Sequence, residues 1–109
     1  MPNTIKIVYT TINNQQQAFD LAKRAVTEKV AACVNVLPQL KSFYMWQGML
    51  QEESEFLILF KTAYNGNRIK TWLKQNHPYD VPAIIELEAS ASEDFQQFIE
   101  ENSQCHRDY

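Results

Sequence analysis

Glycine is almost missing: Gly48 and Gly66 are the only two in 109 residues. A loop that cradles phosphate needs several glycines close together, so nucleotide-binding loops of that kind are excluded. The same shortage implies long elements joined by few tight turns. Cysteine is equally scarce. Cys33 and Cys105 stand far apart with no Cys-x-x-Cys pair, and no Gly-x-Ser-x-Gly elbow occurs, which removes the motifs built on those spacings. Two isolated cysteines read as reduced thiols rather than as a disulfide. No apolar run approaches the roughly 20 residues of a membrane span, and no charged head precedes an apolar leader. Cytoplasmic residence without a membrane partner is the expectation. Basic excess is missing too. The net charge is −3 and the ten Lys and Arg are scattered, Lys23-Arg24 being their longest run. A nucleic-acid partner, which calls for a basic stripe, is not expected.

What is present suits one globular domain over residues 1–109, with a hydrophobic fraction of 45% and 12% aromatics. A chain of this size buries about two-thirds of its unfolded surface. Thr4 to Thr11 is β-branched and aromatic, and predicts a strand. Asn13 and Asn14 offer a cap, and Ala18, Phe19, Ala22, Ala25, Val26 and Val30 recur at helical spacing for about four turns. Ala31 to Trp46 is extended in character, and Pro38 predicts a bend within it. Gln47-Gly48 predicts a hairpin turn into a strand over Met49 to Thr62. Asn65 to Gln75 predicts a short helix with Ile69, Trp72 and Leu73 on one face. Ala83 to Ala89 predicts a further strand. Ser90 and Glu93 have capping-box spacing before a last helix with Phe95, Phe98 and Ile99 as its stripe. From about residue 103 to 109 the chain reads as a frayed tail. The order is β-α-β-β-α-β plus a C-terminal helix, the α+β ferredoxin-like split βαβ arrangement with an antiparallel sheet. Right-handed crossovers place its two main helices on one face.

Phe56-Leu57-Ile58-Leu59-Phe60 is apolar at every position. Side chains alternate between the faces of a strand, so this run needs cover on both. The last helix is one possible cover. Further copies of the chain are the favoured one, because closed symmetric homo-oligomers serve such surfaces. The length of the hairpin supports copies, since Phe43, Tyr44, Met45 and Trp46 would project beyond a small body.

The stretch with most chemistry is His77-Pro78-Tyr79-Asp80-Val81-Pro82. Its prolines fix φ and push the residues before them toward extended geometry, so His77 and Tyr79 are displayed from a stiff connector. His77 is a candidate metal ligand with Cys33 as a second, imidazole and thiolate suiting copper or zinc. The alternative for His77 is a structural imidazole at a helix end; for Cys33 it is a small buried packing residue, which also disfavours a Cys33–His77 catalytic dyad. No enzyme is expected. Cys105-His106 has ligand chemistry but lies in the tail. Glu52-Glu53-x-Glu55 reads as a solvated strand start. Tyr44, Trp46, Lys61 and Tyr79 form a further candidate set: the aromatics read either as filler of an interface between subunits or, with Lys61, as the lining of a cleft there suited to a small anionic ligand.

Several spaced motifs, in order, carry a resemblance: Ala31-Ala32-Cys33-Val34-Asn35 then Pro38, Tyr44-x-Trp46-x-Gly48, Lys61-Thr62, and the His77–Pro82 hexapeptide. Over about Ile5 to Ile99 the chain resembles the CutA family of divalent-cation tolerance proteins. The resemblance implies a tight homotrimer similar to the PII signalling proteins, a role in tolerance of copper or another divalent cation, and a cytosolic location. It also implies a weak metal contact through His77, because Thr10 and Asn76 stand where some members carry cysteine and histidine. A PII-like regulatory trimer that binds a small effector or protein partner at its inter-subunit clefts is the alternative.

Overall fold

The computed structural model describes residues 4–103; Cys105-His106 and most of the predicted tail lie outside the described residues. Its elements are β1 (Thr4–Ile12), α1 (Gln15–Thr27), β2 (Cys33–Trp46), β3 (Met49–Thr62), α2 (Asn67–Asn76), β4 (Ile85–Ser90) and α3 (Glu93–Asn102). The four strands form one sheet in the order β2-β3-β1-β4, every pairing antiparallel. This is the expected α+β arrangement.

α1 begins where Asn14 accepts the Gln17 N–H through its side chain, at 2.8 Å. It ends earlier than the periodicity predicts, because Lys29 turns to φ 60° and the Val30 and Ala31 N–H groups fold back onto the Ala25 carbonyl. Val30 still enters the core, but from the loop. Ala18, Leu21 and Ala25 are the buried stripe, while Phe19 and Val26, expected in it, are exposed. Alanines at the contact let the helix approach closely and leave the larger side chains at its flanks. At α3, Ser92 rather than Ser90 is the cap, accepting the Phe95 N–H at 3.3 Å.

Both main helices cover one face of the sheet. Val8, Ile12, Ile58 and Phe60 are fully buried there beneath Leu21, Ile69 and Leu73, and Trp72 meets Phe60 edge-on at 6.5 Å between ring centroids. Each such side chain contributes about 1.5–3 kcal/mol by leaving water. Among the described residues the opposite face is covered only at one end, where α3 lays Ile99 against Ile5 and Ala32, with Phe95 and Cys33 beside them. Beyond α3, Tyr9, Leu57 and Leu59 are half-buried and Leu37, Ile85 and Leu87 are 40–50% exposed.

The β2–β3 hairpin closes through Gln47 (φ 51°) and Gly48 (φ 79°). Two successive positive φ values give the twist that antiparallel strands require. Midway, the register jumps from Leu37↔Leu57 to Leu40↔Glu55, with Pro38 and Gln39 together facing one residue. Gln39 adopts φ 65°, so the bend predicted at Pro38 is a β-bulge. An extra residue in a period of two exchanges the faces of everything that follows. Ser42 and Tyr44 therefore share a face with Glu53 and Gln51, their register partners.

Candidate functional site

Past the end of β1, the hexapeptide closes against the hairpin and leaves a cleft of about 640 Å³. His77 caps α2 with the extended geometry that Pro78 demands, φ −75° and ψ 137°. It is buried, and both ring nitrogens are used. The Tyr79 backbone N–H donates to Nδ1 at 3.1 Å. Nδ1 therefore carries the lone pair, and Nε2–H donates to the Thr11 carbonyl at 2.9 Å. Burial lowers the His77 pKa, outweighing the Thr11 carbonyl and the Glu55 charge, so the ring is neutral at pH 7. The imidazole is thus a structural tie between the connector and the last turn of β1.

That tie aims Tyr79, whose ring meets His77 edge-on at 4.7 Å. Its hydroxyl donates to Glu55 Oε2 at 2.7 Å, and Ser42 Oγ donates to Oε1 at 2.6 Å. Glu55 lies one residue beyond the last β1 pair, Ile12↔Phe56, and Tyr79 fills the place beside it. Only 5% of Glu55 is exposed, which corrects the reading of all three glutamates as a solvated strand start. Glu52 does face solvent. Glu53 accepts from the Tyr44 hydroxyl at 2.7 Å. Burial, then the Glu55 bond, pushes the Tyr79 phenol far above its ordinary range. The Glu53 bond raises that of Tyr44. Both phenols are held as protonated donors, so the cleft is built to bind and orient.

The cleft gathers Tyr44, Trp46 and Tyr79 from the candidate set, together with Glu53, Glu55 and Asp80. Lys61 is not among its lining residues. It pairs with Cys33 in the sheet register, and its Nζ sits 5.4 Å above the Phe95 ring. Six residues of strand separate it from Glu55, roughly 20 Å at the rise of a β-strand. Within one chain the cleft is therefore acidic and aromatic, unlike the anion-binding set expected.

Cys33 is a free, half-buried thiol whose register partner Lys61 lies four residues along β3 from Leu57, the partner of Thr11. That is roughly 13 Å of strand between the ends where Cys33 and His77 stand. They do not converge in one chain. Among the described residues no three His, Cys, Asp or Glu side chains are grouped to hold an ion. Asn76 is engaged by Arg24 and the Trp72 carbonyl. Thr10 is fully buried with no hydrogen-bond partner for Oγ1 among the described residues. The described residues of one chain therefore do not fit a chelated divalent cation.

Sequence patterns missed Glu55 and Ser42, because their roles depend on the bulge and on Tyr79 arriving from a distant connector. One signal was present. Glu55 continues the alternate positions Leu57 and Leu59 of the apolar run, the face that needs cover.

Comparison with known proteins supplies the context. Residues 6–102 match the family described as CutA1 divalent ion tolerance protein. The chain is 37% identical over 100 residues to the divalent-cation tolerance protein CutA of Thermus thermophilus, covering 90% of this chain and 97% of that protein. It is 38% identical over 89 residues to the chloroplastic CutA of Arabidopsis thaliana, covering 81% of this chain but only 49% of the relative. The structure of CutA from Synechococcus elongatus superposes with a TM-score of 0.88 at 28% identity, covering 95% of each chain.

Proposed function

Because this chain belongs to the CutA1 divalent ion tolerance family, we propose that it serves divalent-cation tolerance as a cytoplasmic, non-enzymatic homotrimer, with the Tyr44–Trp46–Tyr79 cleft as a regulatory site for a small effector. Relatives carry the name of tolerance proteins rather than of enzymes, and the name describes a response rather than a reaction. The observation that carries the reading is the chain of hydrogen bonds from Thr11 through His77 and Tyr79 to Glu55. It holds a pocket in shape while using up the imidazole that an ion would need. The open half of the sheet supports assembly, since Leu37, Ile85 and Leu87 lie exposed on it and monomers rarely leave such contiguous apolar patches uncovered.

Two measurements test this. Calorimetric titration with copper or zinc should show no tight, stoichiometric binding, and His77→Ala should not change the result. A tight copper isotherm abolished by His77→Ala would replace the effector reading with a metal-binding one. Thermal-shift screening of small metabolites should find a stabiliser whose effect is lost in Trp46→Ala.

A further inference from the structure

Glu55 is a carboxylate removed from water whose partners are two neutral hydroxyls, those of Ser42 and Tyr79. Five ion pairs join described residues, and neither Glu53 nor Glu55 belongs to any of them. Burying a carboxylate without a cation is costly, which marks the cleft as unfinished. A cation without a carboxylate lies on the same strand. Lys61 pairs with none among the described residues and rests its Nζ over Phe95. Alternation places residues 61, 59, 57, 55 and 53 of β3 on one face. Read in that order they are Lys, Leu, Leu, Glu, Glu. A cation stands at one end, two anions at the other, and an apolar strip lies between on the open half of the sheet. Roughly 20 Å of strand prevents Lys61 from reaching its own Glu55. A second strip laid antiparallel or head to tail sets lysine against glutamate while the leucines cover one another.

We propose that Lys61 of a neighbouring copy enters the Glu53–Glu55 cleft, so that each cleft is completed only in the assembly. The inference rests on the homo-oligomer reading and adds the residue that a neighbour supplies. In a closed ring the same exchange repeats at every boundary, so all clefts are filled alike.

Mixing ordinary and 15N-labelled protein, then coupling amines to carboxylates with a zero-length carbodiimide, tests it. The expected product is a Lys61–Glu53 or Lys61–Glu55 peptide carrying one light and one heavy partner. Lys61→Gln should abolish that link and raise the dissociation constant of the assembly about ten-fold or more, and Lys61→Arg should restore assembly. A monomer by native mass spectrometry at micromolar concentration would overturn the oligomer reading and this inference with it. An intact oligomer with no mixed-isotope Lys61 link and unchanged dissociation in Lys61→Gln would overturn this inference alone. So would a link from another lysine in its place, or strong stabilisation by 1,4-diaminobutane that survives Lys61→Gln, which would make a free organic cation the occupant.

Discussion

The two faces of the sheet are finished to different degrees. On the helix face Val8, Ile12, Ile58 and Phe60 have no exposed surface, and α1 and α2 close over them. On the other face α3 covers the Ile5–Cys33 end and stops, leaving Ile85 and Leu87 in the open. Adjacent residues of one strand, Leu59 and Phe60, thus belong to different problems. Phe60 holds the subunit together. Leu59 belongs to a surface that the described residues leave partly open. Stability and, on the proposed reading, assembly therefore depend on alternate positions of the same five-residue run, where either can be damaged separately.

The sharpest way to break the comparison is to change those neighbours one at a time. Phe60→Ala should cost the subunit about 3–5 kcal/mol, through lost transfer energy and the cavity left under Trp72. A chemical denaturation curve reads this directly. Leu59→Asp should leave a folded chain by circular dichroism but shift its mass toward the monomer in analytical ultracentrifugation. Equal losses of fold in both variants would show that the faces are not separate.

A smaller effect belongs to the cleft at the margin of the open face. Tyr79→Phe leaves Glu55 with Ser42 as its one remaining donor and should cost about 1.5–3 kcal/mol, the usual range for a hydrogen bond to a charged group. Ser42→Ala in the same background reports whether the two donors act as a unit.

The pH dependence follows from His77. Its folded pKa lies below its unfolded value near 6.5, so the unfolded chain binds the proton more readily. The contribution is complete above the unfolded value and is lost as pH falls through it toward the lower folded one. Denaturation midpoints at pH 7.5 and 5.5 should therefore diverge, and His77→Gln should narrow the gap.

The smallest effect lies deep under the helices. Thr10→Val keeps the shape and removes a hydroxyl with no partner among the described residues, and should stabilise by about 1 kcal/mol. A loss of stability there would mean that Oγ1 has a partner after all.

Most of the architecture was legible in the chain because it rests on local rules. β-branched runs, the Gln47-Gly48 turn and the helical spacing of Ile69, Trp72 and Leu73 declare themselves within a few residues. Phe56–Phe60 marked a second apolar face by breaking alternation, and Leu57 and Leu59 are half-buried on it. The site was half legible. His77 and Tyr79 stood out through their prolines, but the hydrogen bonds that occupy the imidazole come from Thr11 and from the connector's own backbone, which composition does not encode. Glu55 resembled its neighbour Glu52 in every local respect. Its burial comes from a tyrosine 24 residues away. Lys61 was grouped with the aromatics, yet strand geometry puts it at the far end of the face.

The bulge at Pro38 and Gln39 makes the outer hairpin an arm whose orientation depends on chain length. Remove one of the two and the ladder runs unbroken with Leu40 still opposite Glu55, so the Ser42 and Tyr44 hydroxyls keep their face and only the bend is lost. Remove both and every side chain from Leu40 to Trp46 turns over, taking those hydroxyls away from Glu55 and Glu53 and presenting Phe43 and Met45 in their place. The arm therefore carries one residue that the cleft can lose, and the next deletion inverts it.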